Sequence, residues 1–210
     1  SDVESADDPL LMAVRLAVAG NMMDMGVNVT LTEADVRTTM QQALTAPFFG
    51  ELDRFRQAIA EAQSILYLAD NAGEIAFDRI LVEQLLSKRV TVVVRGTPVI
   101  NDATLIDARA VGLDKIVEVI NNGSDAPGTI LSGCSPEFRR RFAEADLIIA
   151  KGQGNFETLS SETGNIFFLF KVKCPVIADH TKQPVGMQVL VAQSALAWEE
   201  LTDIGVGEKS

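Results

Sequence analysis

In 210 residues the chain has one histidine, two cysteines, one tryptophan and one tyrosine. A single histidine excludes zinc sites built from several imidazoles. The cysteines, Cys134 and Cys174, form no Cys-x-x-Cys pair, so neither a zinc ribbon nor a thioredoxin-like motif is present. One disulfide is allowed, but the pattern reads as that of a reduced cytosolic protein. Any metal must then be held mainly by oxygen, which points to hard ions such as Mg2+ or Mn2+. No run of about 18 apolar residues occurs, so no membrane span is expected. The first residues, "SDVESADDP", are acidic and show no signal peptide. Positive charge is scarce: 18 Lys and Arg against 29 Asp and Glu give a net charge of −11. That disfavours non-specific nucleic-acid binding, although a local phosphate pocket remains open to such a chain.

An apolar share of 47% is well above that of a disordered chain. Residues 1–63 read as a helical segment. Leu10, Leu11, Val14, Ala17 and Val18 mark one helical face, "TEAD" at 32–35 resembles a capping box, and a third helix is expected over 51–63. Nothing in this part reads as a strand. From Ser64 onward apolar runs alternate with amphipathic stretches. Strands are expected at 65–68, 90–94, 115–120, 147–150 and 172–178. Helices are expected at 73–87, 103–111 and 136–144, with a closing helix over 188–200. The stretch after 150 reads as a loop with a helical turn. Alternation with Val/Ile-rich strands predicts an α/β fold: a Rossmann-like, three-layer parallel sheet with helices on both faces, preceded by an N-terminal helical cap. The expected division is 1–63 for the cap and 64–210 for the α/β domain.

Ligands of such sheets bind outside the carboxyl ends of the strands, and that is where polar residues collect here. The successive strand ends read "ADNAGE" at 69–74, "RGTPVINDAT" at 95–104, "NNGSDAPGT" at 121–129 and "KGQGNFE" at 151–157. Any one of these satisfies ordinary turn chemistry; four in succession suggest a shared site. Asp70 and Asn71 offer oxygens suited to a divalent cation that must also accept phosphate oxygens. Asp102 is the natural third oxygen ligand, or a helix cap. In "KGQGNFE" the position of a third fingerprint glycine holds Glu157, so a dinucleotide site is rejected. Its glycines can instead offer backbone N–H groups to an anion, with Lys151 adding charge. Lys171 and Lys173 flank Val172 and would share one strand face, as a solvated pair or as a phosphate contact. Asn21 and Asp24, in "GNMMD", lie at i, i+3 and would reach the rim from a helix. The methionines at 22, 23 and 25 read as core, and His180 as a loop histidine.

Together "ADNAGE", "RGTPVINDAT", "NNGSDAPGT", "AKGQGNFE" and "KVKCPVIA" closely resemble the family catalogued as domain of unknown function 89, especially its archaeal branch. Characterised members of that family are metal-dependent phosphatases proposed to clear damaged or excess phosphometabolites. The resemblance implies Asp70, Asn71 and Asp102 as metal ligands and Lys173, or else Lys171, as a phosphate contact. It implies Gly152, Gly154 and Asn155 lining the pocket, with Asn21 and Asp24 near the site. Members usually carry a further helical stretch before the position of Asp8, often with a Cys-x-x-Cys, so this chain is expected to be truncated there.

The expected function is thus hydrolysis of small phosphomonoesters such as sugar phosphates or nucleotides, with Mg2+ or Mn2+, Co2+ and Ni2+ being further candidates. Asp70 would act as nucleophile or only as ligand; with water as the attacking group, Glu74 or Asp125 would be the base. The competing reading is a non-catalytic, metal-dependent sensor of phosphometabolites or nucleotides. The expected partner is a small phosphorylated metabolite, with no nucleic acid and no membrane, and with a homo-oligomer left open.

Overall fold

Short runs of Val, Ile, Leu and Phe form the strands, and their alternation assigns side chains to two faces. The computed structural model describes residues 6–19, 38, 41–43 and 45–195. The strands are β1 (Phe48–Gly50), β2 (Ser64–Leu68), β3 (Arg89–Val94), β4 (Glu118–Asn121), β5 (Leu147–Lys151), β6 (Ile166–Lys171) and β7 (Gln188–Ala192). They form one sheet in the order β1-β7-β6-β5-β2-β3-β4. All neighbours are parallel except β6 and β7, so β1 and β7 run against the other five.

The helices are α1 (Pro9–Ala19), α2 (Leu52–Glu61), α3 (Ile75–Glu83), α4 (Leu105–Ala110), α5 (Pro136–Glu144), α6 (Gln153–Leu159) and α7 (Pro175–Thr181). Along each strand side chains alternate between faces. Ile65, Tyr67, Val92, Ile149, Phe167 and Leu169 share one core with residues of α1 to α4, such as Leu16, Phe55, Leu81 and Ala108. Leu66, Leu68, Val93, Ile148, Phe168 and Phe170 share the other with Phe138, Phe142, Phe156 and Ile177 of α5, α6 and α7. Helices on both faces explain why β2, β3 and β5 are almost continuously apolar. On the second face the Phe156 ring lies 4.7 Å from that of Phe170 and 5.2 Å from that of Phe168. Truncating such a ring to alanine costs about 3–5 kcal/mol.

Four local expectations are corrected. Residues before Ser64 include a strand: β1 pairs with β7 through Phe48 to Gln188 and Gly50 to Leu190. The strand expected at 172–178 lies earlier, as β6, because Pro175 opens α7 there. The closing helix expected over 188–200 begins as a strand, β7, held in register by β6. The helical turn expected after a loop beyond 150 is a longer helix, α6, that begins directly after Gly152. The capping box at 32–35 and the methionines at 22, 23 and 25 lie outside the described residues.

Candidate active site

β2 is where the winding reverses: the chain leaves it for β3 and β4 on one side, then returns to β5 and β6 on the other. In a doubly wound sheet the crevice outside the carboxyl ends at that switch point is the ligand site. Here it falls between the turn after β2 and the turn after β5, that is, between Asp70-Asn71 and Lys151-Gly152.

Backbone pairing places Asp102 beside this crevice. The Ala103 N–H donates to the Asp70 carbonyl at 2.7 Å and the Ala72 N–H to the Asn101 carbonyl at 2.8 Å. Asn71 and Asp102 thereby form an isolated antiparallel bridge. Two rim turns that are far apart in sequence are thus locked together, and they bring together Asp70, Asn71 and Asp102. The helix after Asp102 is capped instead by Thr104 with Asp107, as a capping box, so Asp102 is not needed as a helix cap.

Arg95, just past β3, holds Asp102 in place. Its Nε donates to Asp102 Oδ2 at 2.5 Å, and its other nitrogens donate to Thr129 Oγ1 at 3.1 Å and Asn155 Oδ1 at 3.3 Å. The Asn155 amide nitrogen in turn donates to the carbonyls of Lys151 at 2.7 Å and Ala69 at 3.3 Å. This buried network joins the ends of β2, β3 and β5.

Below the rim lies a second polar layer. Lys151, completely buried, donates from Nζ to Glu74 Oε2 at 2.9 Å and to Asp78 Oδ1 at 2.6 Å. The Tyr67 hydroxyl donates to the same Asp78 oxygen at 2.7 Å. The Asn71 amide nitrogen donates to Glu74 Oε1 at 2.8 Å and to Asp70 Oδ2 at 3.2 Å. Glu74 and Asp78 sit one helical turn apart at the start of α3, so both face the sheet.

The electrostatics follow from this packing. Four buried carboxylates, Asp70, Glu74, Asp78 and Asp102, face two buried cations, Lys151 and Arg95. Burial, with Glu74 and Asp102 adding to it, pushes the Asp70 carboxyl up to about 8 against the pull of Lys151 and Arg95. Burial also raises Glu74 and Asp78, and Lys151 opposes it in both. Burial works against the Lys151 ammonium, but Asp78 and Glu74 outweigh it and hold its pKa above the ordinary lysine range. Lys151 is therefore a fixed positive charge beneath three carboxyls, Asp70, Glu74 and Asp78, that burial raises.

Among the described residues no three Cys, His, Asp or Glu side chains gather as a ready-made metal cage. The donors at the rim are instead two carboxylates and an amide. That set of oxygen donors fits an oxygen-preferring divalent cation, whose charge would favour the ionised form of Asp70. Asn71 gives its nitrogen to Glu74, so its oxygen is the ligand atom it can offer.

The other expected site residues are placed as follows. Gly152 lies against Asp70 with φ +81°, and a Cβ there would overlap the Asp70 carboxylate. Gly154 packs against Gly128, and Asn155 is buried in the Arg95 network. Lys171 is half-buried at the end of β6; Lys173 is exposed, and its backbone N–H donates to Gln153 Oε1 at 3.0 Å. Neither is part of the buried layer. Asp125 is exposed. Asn21 and Asp24 lie outside the described residues. His180 stands in α7, edge-on to the Phe156 ring at 5.6 Å. Sequence reasoning missed Arg95, Asp78, Tyr67 and Thr129. It read Lys151 only as an added rim charge. The signal available was an acid pair four apart, "EIAFD", on an otherwise apolar helix face.

A cavity of about 320 Å3 opens at the opposite rim, among Ser64, Arg89, Thr91, Glu118 and Arg141. Within it Arg141 donates to Glu118 at 2.6 and 2.8 Å. It faces the amino ends of the strands, so the candidate chemistry stays with the switch-point crevice.

Fold and site together define a doubly wound α/β protein with an oxygen-donor crevice at its switch point. The model of the damage-control phosphatase ARMT1-like domain matches residues 1–189, and the chain belongs to that family, also catalogued as domain of unknown function 89. It is 39% identical to a damage-control phosphatase of Pyrococcus horikoshii over 183 residues, covering 85% of this chain and 63% of that protein. A damage-control phosphatase of Archaeoglobus fulgidus is 37% identical over 193 residues, 89% of this chain and 66% of that one. An uncharacterised protein of Methanocaldococcus jannaschii is 37% identical over 202 residues, 91% and 65% of the two chains. The chain thus spans just under two thirds of the length of these curated relatives. The crystal structure of a family member from Pyrococcus horikoshii superposes with a TM-score of 0.81 at 36% identity, over 90% of this chain and 68% of that one. No described helix is long and apolar enough to cross a membrane, and both cysteines are free.

Proposed function

We propose that the chain is a divalent-metal-dependent phosphatase acting on small phosphomonoesters, in the manner its relatives' names suggest for damage control. One observation carries this reading: backbone pairing sets Asp70 and Asn71 against Asp102 at the switch point, where their oxygen donors fit a divalent cation. Asp70, Asn71 and Asp102 would hold that ion, with Mg2+ or Mn2+ suiting their oxygens best and Co2+ or Ni2+ as further candidates. Bound there, a cation would supply charge neutralisation at a phosphate oxygen.

The chain's own residues do the rest. Arg95 fixes Asp102, and Gly152 leaves room for the Asp70 carboxylate. Lys173, on the exposed rim, is the candidate for contact with the phosphate. Asp70 is the candidate nucleophile: its ionised carboxylate would form a bond to phosphorus as the ester P–O bond breaks and the departing alkoxide takes a proton from solvent water, and a second water would then hydrolyse the phospho-aspartate to inorganic phosphate and free Asp70. If water attacks directly, Glu74 or Asp125 is the candidate base. Both Glu74 oxygens are already engaged by Asn71 and Lys151, which disfavours Glu74 as that base. The expected substrate is a small phosphorylated metabolite in a reducing cytoplasm, in keeping with the free cysteines.

The test is phosphate release from a panel of sugar phosphates, nucleotides and p-nitrophenyl phosphate with each of the four ions. Asp70→Asn should abolish turnover, and retained activity would overturn the assignment. Binding of these ligands without release would favour the sensor reading. A labelled phospho-enzyme trapped by rapid quench would establish Asp70 as the nucleophile.

A further inference from the structure

The buried layer under the rim is larger than an ion pair requires. Lys151 is fully buried, and one carboxylate would balance it. The structure supplies two, Glu74 and Asp78, and leaves Asp78 Oδ2 with no partner among the described residues. An extra buried carboxylate with an orphaned oxygen costs stability. Replacing such a layer by apolar side chains would make a simpler core, so its presence asks for a role.

Its connectivity supplies one. The Tyr67 hydroxyl and the Lys151 ammonium both donate to Asp78 Oδ1, at 2.7 and 2.6 Å. Lys151 then donates to Glu74 Oε2 at 2.9 Å, and Glu74 Oε1 accepts from the Asn71 amide nitrogen at 2.8 Å. Tyr67 and Lys151 stand on the central strands β2 and β5; Glu74 and Asp78 stand on α3. Each link has one donor and one acceptor, so the chain has a direction. An amide has two ends that differ only in the sense of their hydrogen bonding. A carboxylate held by an ammonium can only accept. It therefore takes the nitrogen end of Asn71 and turns the oxygen end the other way. If the amide were reversed, its N–H groups would face the ion.

We infer that Asp78, Lys151 and Glu74 are positioning residues that orient the Asn71 amide, fixing its oxygen for the cation, with Tyr67 and Asp78 holding the ammonium under Glu74. This rests on the reading of Asp70, Asn71 and Asp102 as the ion's ligands. It assigns Glu74 a positioning role in place of general base, and Asp78 a role although it lies one helical turn below the rim.

The test is direct titration of the purified chain with Mn2+, by calorimetry and by the manganese electron paramagnetic resonance signal, with folding followed by circular dichroism. Glu74→Gln, which can present either amide end to Asn71, should weaken Mn2+ binding on the order of 10- to 100-fold, as expected for partners of metal ligands. Asp78→Asn should weaken it roughly 10-fold by the same reasoning. Asp146 precedes β5 and accepts from the Ser64 N–H at the start of β2, at the opposite rim; Asp146→Asn should leave Mn2+ binding unchanged, which separates positioning from general destabilisation. Folded Glu74→Gln and Asp78→Asn proteins that bind Mn2+ like the parent would overturn the inference. If Asp78→Asn does not fold, Tyr67→Phe removes only one oxygen and carries the same test, with a smaller weakening expected and none counting against it. A parent chain that binds no Mn2+, or an Asp70→Asn variant that binds it equally well, would instead overturn the ligand assignment itself.

Discussion

Gly152 and Asp70 come from turns at the ends of different strands and are in direct contact: a side chain at Gly152 would occupy the position of the Asp70 carboxylate. The glycine also has φ +81°, a conformation that other residues adopt only with strain. Gly152→Ala should therefore act on Asp70 rather than on the turn alone. The expected result is loss of the proposed phosphatase activity by more than about 100-fold, since small misplacements of a reacting group cost that much. A stability loss of only about 1–3 kcal/mol from backbone strain should accompany it. Urea unfolding and kcat/KM together check the prediction, and an alanine variant with parental kcat/KM would refute it.

Arg95 and Asp102 form the other fixed contact of the rim. The two side chains are 3% and 7% exposed, so solvent screens them little. Removing one partner of such a pair leaves a buried charge and costs about 3–5 kcal/mol. Arg95→Met should lose about that much by urea denaturation. Arg95→Lys should recover only part of it, because a lysine cannot reach Asp102, Thr129 and Asn155 with one planar fork. Equal stability of the lysine variant and the parent would show that the fork geometry is not what matters.

How far the sequence revealed these features depended on the range of the interactions. Turn chemistry is local, so Asp70, Asn71, Asp102 and Gly152 were legible as a rim from Asp, Asn and Gly at strand ends. Their pairing was not, since the Asn71–Asp102 bridge joins turns on different strands. The three residues of β1 carry no period that identifies a strand, and only pairing with β7 makes them one. The "QVLVA" of β7 fits a helix as well as a strand, and the neighbouring β6 decides. Lys151 looked like a rim charge because lysine is usually exposed. Its burial depends on Glu74 and Asp78, which become its neighbours only when α3 packs on the sheet.

The two lysine positions give opposite predictions. Lys173 is exposed and outside the buried layer, whereas Lys151 is its centre. If Lys173 contacts the phosphate, Lys173→Met should raise KM for p-nitrophenyl phosphate roughly tenfold, the worth of one charge-assisted contact, with kcat and melting temperature nearly unchanged. Lys151→Met should instead lower the melting temperature and abolish activity, because it strands Glu74 and Asp78. Steady-state kinetics and thermal melts on both variants separate these roles. A Lys173→Met enzyme with unchanged KM would remove Lys173 from the site.

The acid limb of stability should depend on a carboxylate far from the candidate site. Asp146, just before β5, accepts from the Ser64 hydroxyl at 2.8 Å and from the Ser64 and Gln63 backbone N–H groups at 2.8 and 3.1 Å. These bonds, led by the hydroxyl and the Ser64 N–H, hold its carboxyl below the ordinary range. They tie the start of β2 to the start of β5, and they are stronger to the ionised form. The folded pKa is depressed, so this stabilisation is fully present above the unfolded carboxylate value of about 3.9. It fades as pH falls through the lower folded value. The parent should therefore lose melting temperature on acidification through that window, and Asp146→Asn should start lower at neutral pH and lose less of it there. Melting curves from pH 7 down to about pH 2 test the difference, which spans the window set by those two values. Parallel curves for the two proteins would show that Asp146 does not report on folding through its charge.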